Sequence, residues 1–139
     1  MKIVDLIVGA RPNFMKVASL FHALRSLSKK KINFKFRLIH TGQHYDKKMS
    51  KNFFTELDIP QPDINFNVRS GTHAEQTAKI MISYERLLDK SPSDMSIVVG
   101  DVNSTIACAI AAKKRNIPVA HIEAGLRSYD WTMPEEVNR

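Results

Sequence analysis

A single cysteine, Cys108, among 139 residues excludes a disulfide framework within the chain and fits a reducing compartment, so a cytoplasmic location is expected. The N-terminal apolar run, Ile3 to Val8, covers six positions and is interrupted by Asp5, too short for a signal-peptide core or a membrane span. No membrane partner is expected. The five glycines form neither a G-x-G-x-x-G dinucleotide fingerprint nor a G-x-x-x-x-G-K-[ST] phosphate loop, which argues against bound NAD and against loop-held ATP.

Acidic residues are the minority: 14 against 21 lysines and arginines, a net charge of +7. Much of the excess runs from Arg25 to Arg37, with Lys29, Lys30, Lys31 and Lys35 between. A helix is expected to end there, and cations at a helix C-terminus complement its dipole while staying solvated. No aromatic side chains interleave them as a nucleic-acid groove requires, so nucleic acid is not an expected partner. A phosphate-bearing small molecule remains open.

What is present suits one soluble globular domain, with 43% hydrophobic and 25% charged residues. Ile3 to Val8 is β-branched and apolar, as a buried parallel strand should be. Pro12 suits the first position of a helix whose apolar face, Phe14, Val17, Ala18, Phe21 and Leu24, runs to about Leu27. Asn33 to Thr41 alternates as a second strand, and Met49, Phe53, Phe54 and Leu57 suggest a short helix. Residues 60 to 68 read as a loop or edge strand, and 73 to 88 as a helix with Ala74, Thr77, Ile80, Met81, Tyr84, Leu87 and Leu88 on one face. Met95 to Val99, Val102 to Arg115 and Ile117 to Ile122 complete a strand, helix, strand series. This alternation predicts an α/β fold, a doubly wound parallel Rossmann-like sheet, with ligands bound outside the carboxyl ends of the strands.

Residues following the strands should therefore line one crevice: Gly9-Ala10-Arg11-Pro12-Asn13 with Lys16, then Thr41-Gly42-Gln43-His44, then Gly100-Asp101-Val102-Asn103-Ser104-Thr105, then Glu123-Ala124-Gly125-Leu126-Arg127-Ser128. Singly, each glycine can serve a tight turn, Asp101 or Asn103 can cap a helix, and Ser128 can be a turn residue. Together, charged groups at one edge of a buried sheet need partners or a ligand. Arg11 and Lys16 at a helix start suit a phosphate or diphosphate. Asp101, Glu123, Asp130, Glu135 and Glu136 lie on or near this edge, and two of them can divide acid and base roles. His121 falls within a strand and reads as a packed core histidine, whereas His44 is in a loop and can reach a ligand. No short ligand spacing supports a metal from His44, Asp101 and Glu123, so no metal is expected. Cys108 reads as a small core residue. Tyr129 and Trp131 can stack on a sugar or base, or clamp a loop.

Six segments, GARPNFMK, TGQHYD, HAEQTA, VVGDVNST, IPVAHIEAGLRS and MPEEVNR, stand in an order and spacing that resembles the non-hydrolysing UDP-N-acetylglucosamine 2-epimerase family. The resemblance covers essentially the whole chain. It implies an enzyme of two Rossmann-like domains in the glycosyltransferase-B arrangement, of which residues 1–139 would be the N-terminal one, the C-terminal UDP-binding domain being absent from this chain. The implied reaction interconverts UDP-GlcNAc and UDP-ManNAc by anti elimination of UDP and syn re-addition, without a cofactor. By resemblance Asp101, Glu123 and Glu135 are the catalytic carboxylates, while Arg11, Lys16, Gln43, His44 and Arg127 contact substrate. A UDP-sugar substrate, the missing domain and a second copy bound through this domain are the implied partners. The chain alone is then expected to be inactive. Alternatives are an epimerase of another UDP-2-acetamido sugar, such as a diacetamido uronic acid, and a non-catalytic nucleotide-sugar binding or dimerisation module. Asn13 stands where many members carry an acidic residue. Bacterial members of the family also bind a second UDP-GlcNAc as an allosteric activator, through positions like Gln43 and His44 among others; Asp46 and Lys79 stand here where well-studied members carry Gln and Arg, which argues against effector activation.

Overall fold

The computed structural model describes residues 1–28, 33–44 and 51–139, so Lys29, Lys30, Lys31, Asp46 and Met49 lie outside the described residues. Five parallel strands, β1 (Lys2–Val8), β2 (Phe34–His40), β3 (Ile64–Asn65), β4 (Met95–Val99) and β5 (Val119–Ile122), form one sheet in the order β3-β2-β1-β4-β5. The helices α1 (Arg11–Ser28), α2 (Lys51–Glu56), α3 (His73–Lys90), α4 (Asn103–Lys114) and α5 (Pro134–Asn138) connect or follow them. The doubly wound α/β architecture expected from the alternation is the one observed, down to the short edge strand within residues 60–68.

Side chains alternate across a strand, so each strand feeds two cores. Leu6, Val8, Leu38, Ile97 and Val99 face α1 and α2, meeting Phe14, Val17, Phe53 and Phe54. Ile7, Ile39 and Val98 face α3 and α4, meeting Ile80, Tyr84, Leu88, Ala107 and Cys108. Phe14 is fully buried, packing edge-on to Phe54 at 5.3 Å between ring centroids. Burial of such a ring stabilises by about 1.5–3 kcal/mol. The small residues of α4 let it lie close to the sheet, with Ala107, Cys108 and Ala112 fully buried. Cys108 is the core residue expected, and burial pushes its thiol pKa up, which keeps it unreactive.

Three expectations are corrected. Arg37 is not a solvated member of the basic stretch: its position on β2 faces the inner side of the sheet, where it aligns with Asp5 on β1 and, beyond it, Ser96 on β4. Its Nε and Nη2 donate to the two Asp5 carboxylate oxygens at 2.6 and 2.9 Å, and the Tyr84 hydroxyl donates to Asp5 at 2.8 Å. A carboxylate inside a core is tolerated only when paired and hydrogen-bonded in this way. On α3, Ala74 is exposed and the buried stripe is Gln76, Ile80, Tyr84 and Leu88, so the inner face includes a polar residue that periodicity alone had passed over. His121 is half-buried rather than packed in the core, because β5 is an edge strand; its Nε2 donates to the Gly100 carbonyl at 2.6 Å.

Candidate active site

All strands are parallel, so their carboxyl ends open on one edge, and the four loops singled out in the sequence meet there. At β1, Gly9 allows close approach: a Cβ would run into the Ser104 hydroxyl of α4. The Asn13 side-chain oxygen accepts from the backbone N–H groups of Gly9 and Ala10, both at 3.1 Å. These two bonds fix the turn that leads from β1 into α1.

Val102, a poor cap, stands at the N-cap of α4, and neither Asp101 nor Asn103 caps the helix. The cap comes from another loop instead: the Gln43 side-chain oxygen accepts from the Ser104 N–H at 2.9 Å and its hydroxyl at 2.6 Å. Gln43 is buried, and its side-chain oxygen is committed to the scaffold. The adjacent His44 is exposed and shares with Gln43, His73 and Glu135 a cleft of about 310 Å³.

A chain of amides joins these loops. Gln76 donates to the carbonyls of Gln43 and Arg69, Asn103 donates to the Gln76 oxygen at 2.9 Å, and Asn138 donates both to the Asn103 oxygen at 3.1 Å and to the Asp101 carbonyl at 2.9 Å. It docks α5, which carries Glu135, against the loop carrying Asp101. Sequence reasoning missed Gln76 and Asn138; a polar residue one turn before Ile80 on the core stripe of α3 was the available signal.

The carboxylates have separate partners. Lys16 Nζ lies 2.6 Å from Glu123 Oε2, the two side chains 36% and 37% exposed. Asp101 is paired with Arg139, which also donates to the Leu126 carbonyl. Arg127 is engaged by Glu136: its Nε donates at 2.7 Å to Glu136 Oε1, while the Ser128 N–H donates to Oε2 at 3.0 Å. The Arg127 hydrogen bond, aided by Ser128, holds the Glu136 pKa down from the usual 4.5 to about 2. Arg127 also lies 5.2 Å from the Tyr129 ring centre, and Arg11 lies 4.9 Å from that of Phe53. Tyr129 and Trp131 are both exposed. Asp130 is held below the usual carboxylate range by the Thr132 hydroxyl and N–H. The backbone of Glu123 is left-handed, with φ of 60°, an uncommon conformation for a residue with a Cβ and one that tends to occur at functional positions.

Among the described residues no three His, Cys, Asp or Glu side chains are grouped to hold a metal ion, and no helix is long and apolar enough to cross a membrane.

A family model described as UDP-N-acetylglucosamine 2-epimerase matches residues 25–139. Over its whole length the chain is 51% identical to 37% of a UDP-N-acetylglucosamine 2-epimerase homolog of Methanococcus maripaludis. It is 43% identical to 38% of a UDP-2,3-diacetamido-2,3-dideoxy-D-glucuronate 2-epimerase of Pseudomonas aeruginosa, again over the whole chain. In structure it is similar, with a TM-score of 0.88 and 46% identity, to the UDP-GlcNAc 2-epimerase of Methanocaldococcus jannaschii in complex with UDP-GlcNAc and UDP, covering all of this chain and 37% of that one. The chain thus spans a little over a third of the length of the relatives it matches.

Proposed function

Because the chain belongs to the UDP-N-acetylglucosamine 2-epimerase family, we propose that it supplies the sugar-facing half of the cleft of an enzyme interconverting UDP-GlcNAc and UDP-ManNAc. The observation that carries the reading is the Lys16–Glu123 contact at the carboxyl edge of the sheet: a cation suited to phosphate beside a carboxylate suited to moving a proton. In the reaction a base takes the C2 proton while the C1–O bond breaks and UDP leaves, giving a 2-acetamidoglucal. UDP then returns to C1 and a proton to C2 on the same face as UDP, opposite to the face the first proton left. Glu123, Asp101 and Glu135 are the groups proposed for the proton transfers. Arg11 and Lys16 are proposed to stabilise the charge that grows on the departing diphosphate. His44, beside Glu135 in the 310 Å³ cleft, is proposed to contact the substrate. Gln43 and Arg127 support the site indirectly, Gln43 through the start of α4 and Arg127 through Glu136.

The chain covers little more than a third of its relatives, and the complete activity is proposed to need a second domain that closes the cleft against water. Joining the chain to the C-terminal portion of the Methanococcus maripaludis relative and following UDP-GlcNAc by NMR tests this. UDP-ManNAc should form with the joined protein and not with the chain alone. Glu123→Gln should lower turnover at least a hundredfold while UDP-GlcNAc still binds, whereas Arg11→Ala should weaken binding. Undiminished turnover by Glu123→Gln would sink the reading.

The 43% identity to the diacetamido-glucuronate enzyme favours a second reading, the same chemistry on a UDP-2-acetamido sugar with further substituents. Faster turnover of that sugar than of UDP-GlcNAc would select it. A second copy of the chain is the proposed protein partner. Support comes from the apolar groove of about 580 Å³ between α3, α4 and α5, lined by Ala74, Met81, Ile106, Trp131 and Val137, with Ile82 of α3 also exposed. A cytoplasmic location is proposed too, supported by the lone buried thiol.

A further inference from the structure

We propose that Lys16 is an exchangeable counter-ion, which pairs with Glu123 in the ligand-free protein and moves to a ligand phosphate on binding, leaving the Glu123 carboxylate free for proton transfer. The inference rests on the reading above that a diphosphate lies at Lys16. Three features support it. The pair is short at 2.6 Å, yet each side chain is about one-third exposed, so the contact is screened by water and weak enough to be displaced. An ammonium group is a point charge on a flexible stem with three donors, able to re-aim without moving the helix, whereas the nearby Arg11 lies over the Phe53 ring.

Glu123, finally, does not depend on Lys16 for its place. The end of β5 is tied to the loop after β4 by the Gly100 N–H donating to the Ile122 carbonyl at 2.9 Å and by His121 donating to the Gly100 carbonyl at 2.6 Å. The left-handed backbone at Glu123 then sets the direction of its side chain. A diphosphate carries more negative charge than one carboxylate, so it draws the lysine away. The carboxylate it leaves stands at the same edge without its paired ammonium group. Ligand binding and readiness of the base become one event.

The exchange makes Glu123 a competitor of the ligand. UDP titrations of the wild type, Glu123→Gln, Lys16→Met and the double variant, followed by NMR so that millimolar affinities are resolved, test it as a thermodynamic cycle. Glu123→Gln should tighten UDP about two- to fivefold, the range expected for release of one exposed ion pair. Lys16→Met should weaken UDP binding, and in its background the gain from Glu123→Gln should vanish. A gain that persists without the lysine means simple repulsion of the anion, and it overturns the exchange, as does no gain at all. A Lys16→Met variant that binds UDP as the wild type does overturns instead the placement of phosphate at Lys16.

Discussion

Gln43 caps α4 at a residue 61 positions later in the chain, its side-chain oxygen accepting both the N–H and the hydroxyl of Ser104. Thr41 adds a second link, its hydroxyl 2.8 Å from that of Ser104. The loop after β2 is therefore fastened to the start of α4 across the strand that separates them. A residue singled out as a ligand contact holds the scaffold of the site.

Replacing Gln43 by alanine strands a buried N–H at the start of α4, for which the expected cost is about 1–3 kcal/mol. Gln43→Glu keeps the acceptor and adds a favourable charge at a helix N-terminus, so it should lose less than about 1 kcal/mol. Denaturant unfolding of the two variants separates these outcomes. Equal stability of wild type and Gln43→Ala would show that the cap contributes nothing.

His40 gives the protein an acid limit. It is buried against the Phe14 ring at 5.2 Å, and its Nδ1 accepts from the Gly42 N–H at 2.6 Å, which places the proton of the neutral ring on Nε2. Burial lowers its pKa from 6.5 to about 4. The unfolded chain binds this proton more readily than the folded one, so the stabilising effect is complete above pH 6.5 and lost as pH falls toward 4. The decline should reach on the order of 3 kcal/mol at the acid end. Unfolding free energies of wild type and His40→Gln at pH 7, 5 and 4 should diverge, with the variant the flatter of the two. Parallel curves would exclude His40 as the source.

A second acid response belongs to the segment after β5. Glu136 has its pKa depressed to about 2, chiefly by Arg127, so its hold on Arg127 and Ser128 is complete above pH 4.5 and fades between 4.5 and 2. Amide hydrogen-exchange protection in residues 124–133, taken relative to the intrinsic rate at each pH, should fall across that window in the wild type. In Glu136→Gln protection should be low already at neutral pH, with little further change. A segment equally protected in both proteins would show that the pair does not fasten it.

The elements from β1 to β5 were legible because their signals are local. An apolar β-branched run such as Ile3 to Val8, or a helical repeat such as Phe14, Val17 and Ala18, declares its own hydrogen bonding and the face it must bury. The alternation of strands and helices in turn dictates a parallel sheet, and a parallel sheet puts Lys16, Gln43, Asp101 and Glu123 at one edge without further information. Which of these groups touch was not legible. Pairing depends on strand order and register, and these are set by the whole packed sheet. Only there do Asp5 and Arg37 align across two strands, does Gln43 reach Ser104, and does Lys16 meet Glu123. Only there, too, does Arg127 select Glu136 over the adjacent Glu135, because one helical step turns the first inward and the second to the cleft.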